Sequence, residues 1–509
     1  MDPNIIANPD YMILSYLSFV LFLINLVTAF HILLNKHDEA VSAVMWLLMV
    51  FLAPPFGLIL YLFFGINRIK TKALKIQIAN QLITEAAERK KGGAAPLQNG
   101  LQATVDNYLY QQHTFEYTGG KKGYPNYNKM LDRLLPDTIP LKGNKIKLLL
   151  DGTQAYPQML KKIKNAKTCI HLQSYIIMND EVGKIMFQAL RKKAAQGVKV
   201  KILYDRYGSW PAFITSFITQ FFKNAENFEV HSFTQLRPWS IQLRNHRKLM
   251  VIDGEYAFIG GINISKDNYA KKANKDRYIH DLHCEVQGPV VGELQFSFLR
   301  DWHWITKTPP IDLLKDDYFP PVKSPSGQSI ARVVASGPGQ DYEATDKVYM
   351  TAVTTAQRYV WLMSPYFVPD KAFCKLLCAT VARGVEIKVI VPAKNNLWYM
   401  RLASQSLYRT LLEAGVRIYE KKGHFSHAKS MLIDGQWAKM GSSNCDVRSF
   451  KLNYELDFII EQGDFLEELH TQFNEEMADS KEVLLKEVVN KKIIRQLAEN
   501  ACALFTPIL

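Results

Sequence analysis

Two stretches of the chain, NHRKLMVIDGEYAFIGGIN starting at Asn245 and SHAKSMLIDGQWAKMGSSN starting at Ser426, repeat one pattern of reactive side chains. The pattern is His, one residue, Lys, four residues, Asp, Gly. It supplies His246, Lys248 and Asp253 in the first copy and His427, Lys429 and Asp434 in the second. An Asn follows each His by 17 positions, as Asn263 and Asn444, and a small residue, Gly261 or Ser442, stands two positions before it. This inventory suits a phosphodiester. Lys and Asn hold nonbridging oxygens and stabilise charge in the transition state, and His serves as nucleophile or as general acid. Exchange through a covalent intermediate needs one group to attack phosphorus and another to protonate the leaving alcohol, and the duplication provides both. A lone His-x-Lys could mark a solvated strand face, but two copies at identical spacing argue against that. An Asp before Gly is common turn chemistry, so Asp253 and Asp434 stand between a catalytic and a structural role.

In an extended strand, residues two apart share a face, so each His and Lys point the same way. Asp-Gly between apolar runs predicts a two-residue hairpin. That register sets His246 opposite Gly261 and His427 opposite Ser442. The repeat extends upstream. The first copy has a strand at 145–150, a helix at 155–165, a strand at 169–176 and a helix closing at Gly197 before an apolar strand. The second has a strand at 359–368 and a helix closing at Gly384 before another apolar strand. This is the cadence of βαβ units in a covered sheet.

The 509 residues are 48% apolar and carry a formal net charge of +14, too apolar for a disordered chain and too long for one ordinary core. Six cysteines form no CxxC pair or Cys/His cluster, which reads as buried or idle thiols in a reducing compartment. Residues 1–64 sum to −3, so the basic excess lies in the remainder, where a polyanion or an anionic membrane surface is the natural partner. Residues 11–34 and 40–67 contain no Asp, Glu, Lys or Arg. Each is long enough to cross a bilayer, and neither resembles a cleaved signal peptide. Pro54, Pro55 and Gly57 should kink the second span. Arg68, Lys70, Lys72 and Lys75 follow it closely, which predicts a cytoplasmic catalytic domain.

The paired motifs, with Gly260-Gly261-x-Asn263 and Gly441-Ser442-x-Asn444, resemble the phospholipase D superfamily. With the two apolar spans, and especially WLLMVFLAPPFGLILYLFFG, the chain is similar to bacterial cardiolipin synthases over nearly its full length. The resemblance implies an α/β, pseudo-twofold bilobal fold of two mixed-sheet lobes covered by helices, preceded by a two-helix transmembrane hairpin in the bacterial inner membrane. It implies transfer of a phosphatidyl group between two phosphatidylglycerol molecules to give cardiolipin and glycerol, without metal or cofactor. In it His246 is the nucleophile and His427 the acid and base, with the reverse possible, and Asn263, Asn444, Gly261 and Ser442 bind phosphate. It also implies a carboxylate behind each His, for which Asp281 and Glu455 are the candidates; ordinary salt-bridged acids are the alternative. His280 and His283 flank Asp281, but His-x-x-His alone is a poor ligand set and no metal is expected.

The expected division is a hairpin at 1–69 with spans near 11–34 and 41–64, a juxtamembrane linker at 70–136 with a helix at 70–91, and a first lobe at 137–308. A connector at 309–330, a second lobe at 331–482 and a C-terminal amphipathic helix at 483–509 follow. Residues 210–222 and 484–509 are amphipathic at helical spacing, which fits either lipid contact or core packing. Alternatives to synthesis are hydrolysis of phospholipid, phosphatidylethanolamine as co-substrate, a nuclease, and a catalytically dead binding protein. The membrane spans lower the nuclease reading, so nucleic acid is not an expected partner.

Overall fold

The computed structural model describes residues 9–36, 40–65, 126–222, 225–233, 243–269, 277–313, 316–321, 326–337, 341 and 343–504. The expected helix at 70–91 lies outside these. The described residues fall into an N-terminal apolar unit and a larger catalytic unit.

In the N-terminal unit, helix Pro9–Asn35 contains an apolar stretch, Ser15–Asn35, long enough to cross a membrane. The second apolar run is interrupted where the prolines were expected to kink it. Helix Ala40–Leu52 rises about 20 Å, short of a hydrocarbon core of about 30 Å, and ends at Pro54–Pro55. A short helix, Phe56–Leu60, and a π-turn, Tyr61–Gly65, follow. Proline removes the backbone donor a continuous helix needs. Gly57 lets the two halves approach, since a Cβ there would lie 2.0 Å from the Met49 carbonyl oxygen. The His31 ring and the Tyr61 hydroxyl, 2.8 Å apart, tie the first helix to the π-turn.

The catalytic unit is built on one 15-stranded sheet whose two halves repeat the same order. From the middle outward, the first lobe runs Leu141–Leu150, Leu282–Gln287, Tyr256–Gly260, Leu249–Ile252, Cys169–Ser174, Lys199–Tyr204 and Phe228–Ser232. The second runs Ser329–Ser336, Glu455–Glu461, Trp437–Gly441, Ser430–Ile433, Tyr359–Met363, Glu386–Pro392 and Arg417–Lys421, with Ser480–Glu482 added at the edge. Leu141–Leu150 and Ser329–Ser336 pair antiparallel and join the lobes. The predicted repeat is thus a structural pseudo-twofold. Matching helices confirm it at the level of caps. Asp180 caps Glu181–Ala194 by accepting from the Gly183 N–H, and Asp370 caps Lys371–Ala382 through the Phe373 N–H. Gly197 and Gly384 end these helices at φ +91° and +90°.

Each lobe has its own apolar core on the outer side of the sheet. A third core, common to both, packs helices Val290–Thr306 and Phe465–Ala478 against the middle strands. Helix Asn126–Leu134 lies in the stretch expected to be linker, yet Tyr127 stacks on buried Trp437 and Asn128 donates to Glu461 at 2.7 Å. It is therefore part of the second lobe's packing.

Candidate active site

Both motif hairpins form, but their register is one residue from the predicted one. Ile252 pairs with Tyr256 and Ile433 with Trp437, so three residues, not two, make each turn. Asp253 and Gly254 both have positive φ, the Glu255 N–H donates to the Ile252 carbonyl at 3.1 Å, and Glu255 is left over as a bulge. Extended along the strand, this register sets His246 opposite Ile262 rather than Gly261, and His427 opposite Ser443 rather than Ser442.

The motif carboxylates stay at the turn. Asp253 accepts N–H groups of Lys167, Thr168 and Cys169 at 2.8, 2.8 and 3.0 Å, and Asp434 those of Gln357, Arg358 and Tyr359, all at 2.8 Å. Roughly 16 Å of extended chain separates each from its motif Lys. Of the two roles open to Asp253 and Asp434, these bonds fit the structural one: both lock the start of the neighbouring strand.

The two His come together across the lobes. His246 N–H donates to the Tyr454 carbonyl at 2.9 Å, and Tyr454 N–H to the Arg244 carbonyl at 2.8 Å. In the other copy, Phe425–Ser426 pairs in parallel with Ile279–His280, and His427 N–H donates to the His280 carbonyl at 2.7 Å. Each motif is therefore stapled to the opposite lobe one residue before that lobe's acid. The acids follow suit. Glu455 Oε2 lies 3.1 Å from His246 Nδ1, and Asp281 Oδ2 lies 2.7 Å from His427 Nδ1. His246 Nδ1 also faces the Ser442 carbonyl at 3.0 Å. With Nδ1 held by acceptors, each ring keeps its proton there and leaves the Nε2 lone pair free. The ring centroids are 6.5 Å apart at 80°. With attack distances of about 3 Å, one phosphorus atom fits between them.

Gly261 and Ser442 bear on the acids instead of standing across from the motif His in the hairpin. A Cβ at Gly261 would lie 2.0 Å from Asp281 Oδ1, and the Ser442 hydroxyl bonds to Glu455 Oε2. Asn453 and Ser449 donate to the other Glu455 oxygen at 3.1 and 2.9 Å. Asn263 Oδ1 accepts the Ile176 N–H at 3.1 Å, which leaves its amide NH2 to donate elsewhere. Asn444 is likewise buried. Lys248 and Lys429 curl back onto the carbonyls of His246 and His427.

This crowding shapes the charges. Burial, then the Lys248 ammonium, pulls His246 below its ordinary range despite Glu455. Burial and the Lys429 ammonium take His427 down to about 3 against Asp281. Burial also brings Lys248 down to about 7 and Lys429 to about 8. Burial alone would raise the acids, but His246 and Lys248 hold Glu455 at about 2, and Lys429 and His427 hold Asp281 below its ordinary range. Both imidazoles are therefore neutral before an anion arrives.

Sequence reasoning missed the roles of three groups. Arg247, between the motif His and Lys, is fully buried and spans the lobes: Nε donates to the Glu455 carbonyl at 3.0 Å, Nη2 to the Ser336 carbonyl at 2.9 Å, and Nη1 pairs with Asp301. Its counterpart is the small Ala428, and that contrast was the available signal. Tyr175 meets the His246 ring edge at 4.9 Å. His280, noted in the sequence only as half of a His-x-x-His pair, bridges Asp151 at 2.9 Å and Glu476 at 2.8 Å next to Asp281; the spacing does not announce that role.

The "Cardiolipin synthase, PLD-like domain" family model matches residues 159–302 and 349–477, and "Phospholipase_D-nuclease N-terminal" matches 23–65. The chain is 31% identical over 492 residues to a cardiolipin synthase of Staphylococcus aureus strain Mu50, covering 96% of this chain and 95% of that one. It is 30% identical over 498 residues to cardiolipin synthase A of Pseudomonas putida strain W619, covering 97% and 98%. Among solved structures, the phosphatidylserine synthase of Haemophilus influenzae Rd KW20 has the same fold, with a TM-score of 0.59 at 15% identity, covering 75% of this chain and all of that one.

Proposed function

The chain belongs to the cardiolipin synthase family of the phospholipase D superfamily, a membrane-associated phospholipid phosphatidyltransferase, and from that premise we propose that it joins two phosphatidylglycerol molecules into cardiolipin and glycerol. The supporting observation is the pair of imidazoles 6.5 Å apart, each with Nδ1 on a carboxylate from the opposite lobe.

In this reading a phosphodiester enters between the rings, where Lys248, Lys429, Asn263 and Asn444 face its nonbridging oxygens. Its negative charge offsets the two ammoniums and lets His427 take a second proton, which Asp281 stabilises. His246 Nε2 attacks phosphorus, the bond to the glycerol oxygen breaks, and His427 gives that oxygen its proton. The hydroxyl of a second phosphatidylglycerol then attacks phosphorus, its proton passes to His427, and the bond to His246 breaks. Glu455 holds His246 as the Nδ1–H tautomer throughout. The spans and the basic residues after them support a multi-pass protein of the inner membrane with the catalytic unit in the cytoplasm.

The test is the full chain in phosphatidylglycerol vesicles with labelled head groups. Released glycerol and cardiolipin are expected. Phosphatidic acid as the main product would favour hydrolysis, and ethanolamine released from mixed vesicles would make phosphatidylethanolamine the donor. His246→Ala should abolish turnover and the lipid-bound form of the protein. His427→Ala should abolish turnover while the chain still inserts into membranes.

A further inference from the structure

Helix Ile493–Leu504 has its amphipathicity reversed. Its inward side is polar or small: Glu499, 4% exposed, accepts from Lys491 Nζ at 2.8 Å and from Arg495 Nε at 3.0 Å, and Arg495 also donates to Gln405. Its outward side carries Ile493, Ile494, Leu497 and Leu504, exposed by 73, 77, 63 and 80%. Positions 493, 497 and 504 fall on one stripe of a 3.6-residue helix. A helix folding onto a core in water turns such a stripe inward. Here ion pairs hold the opposite orientation.

The helix packs on Trp398–Ser406, whose first residue, Trp398, is 70% exposed. The same stack reaches the cleft. Cys502 packs against the cluster of Val368, Met400 and Ala403, as does Tyr366, whose ring lies 6.2 Å from His427. The matching helix of the first lobe, Trp210–Ile214, also begins with an exposed Trp and follows the strand equivalent to the one before Trp398. Within 210–222, packing accounts for Ala212, Phe217 and Ile218, which are buried, while Ile214 stays exposed.

We propose that the outward face of Ile493–Leu504, continued by Trp398, docks on an anionic lipid surface and seats the His427 side of the cleft against the bilayer; this rests on the phospholipid reading above. Lys492 immediately precedes the helix, Lys486 lies on the short helix Leu485–Val489 before it, and neither has an ion-pair partner among the described residues, which suits anionic head groups. A second copy of the chain is a poorer occupant, because a twofold contact through this face would bring the same lysines together.

The experiment uses the full chain carrying Ile493→Gln, Ile494→Gln and Leu497→Gln in vesicles of phosphatidylglycerol and phosphatidylcholine. Losing three exposed apolar side chains from the lipid surface should lower kcat/KM on vesicles by about tenfold or more, while turnover of short-chain, monomeric phosphatidylglycerol and the melting temperature stay as in the unaltered chain. Unchanged kcat/KM on vesicles overturns the proposal, as does equal loss on both substrates, or a dimer-to-monomer change with vesicle rates unaffected. A second readout is independent of turnover. Leu497→Cys, labelled with an environment-sensitive dye in a Cys378→Ser, Cys502→Ala background, should be quenched by nitroxide lipids, and the same dye on Lys192→Cys should not. Water-like emission at 497, or equal quenching at 192, overturns docking. A quenched dye at 497 with no phosphatidylglycerol turnover by the unaltered chain would support docking and refute the transfer reading.

Discussion

Gly261→Ala is a small change with a large expected effect, because the absence of a side chain there is what admits Asp281. The added methyl carbon would lie 2.0 Å from Asp281 Oδ1 and 2.5 Å from its Cγ. Ordinary contact requires about 3.3 Å, so the carboxylate must move by more than an ångström. Its bond to His427 Nδ1, now 2.7 Å, is then broken. A hydrogen bond to a charged group contributes about 1.5–3 kcal/mol, which predicts a fall in kcat of roughly 10- to 150-fold. Asp281 is buried beneath the ring, so KM should change little. Initial rates in phosphatidylglycerol vesicles measure the split, and a melting curve separates it from misfolding. Ser442→Ala in the other copy serves as the comparison: it removes one bond to Glu455 but leaves those from Asn453 and Ser449, so its loss should be smaller. A Gly261→Ala enzyme with kcat within twofold of the unaltered one would refute the role given to Asp281.

Asp434→Ala should cost about 2–4 kcal/mol of folding stability for three lost amide bonds to a carboxylate, read as a lower melting temperature, with kcat on the remaining folded protein within a few-fold; a collapse of kcat at unchanged stability would return the residue to the reacting centre. His280 is raised to about 10: burial opposes its charge, but Asp151 and Glu476 outweigh it. A raised folded-state value means that its contribution is complete below the unfolded value of about 6.5 and fades as pH rises toward 10. Stability of the unaltered chain should therefore decline across that window, and His280→Gln should flatten the decline. Lys439 and Asp457 form a buried pair at 3.0 Å where the first lobe has Phe258 and His283. Lys439→Met should cost about 3–5 kcal/mol by stranding Asp457, and the double change Lys439→Phe, Asp457→His should recover part of it; thermal unfolding of the two variants decides.

Much of the site was legible because the duplication writes its reactive residues twice at fixed spacing. His246, Lys248, His427, Lys429 and the two Asn were read directly, and the predicted strands and helix ends lie close to those observed. Asp281 and Glu455 were named as the supporting acids, but nothing in their neighbourhood told which His each would serve. The hairpin register slipped by one because two consecutive residues with positive φ leave a third behind as a bulge, and Asp-Gly alone does not distinguish that turn from a two-residue one. The second apolar run was read as a span kinked at Pro54, Pro55 and Gly57, and the structure breaks the helix there.

The sequence by itself determined the inventory of the candidate site: two imidazoles, two ammoniums, two carboxamides and an apolar N-terminus follow from residue types and spacing, which are local properties. Tertiary structure alone decided the pairing. Each motif segment runs on past its own half of the sheet and bonds to the end of a strand of the other lobe, so each His receives its acid from residues 146 or 209 positions away. Arg247 and His280 belong to the same category. Their partners come from strands and helices that meet only once the two halves close into one sheet, and no spacing along the chain encodes a contact between the two lobes.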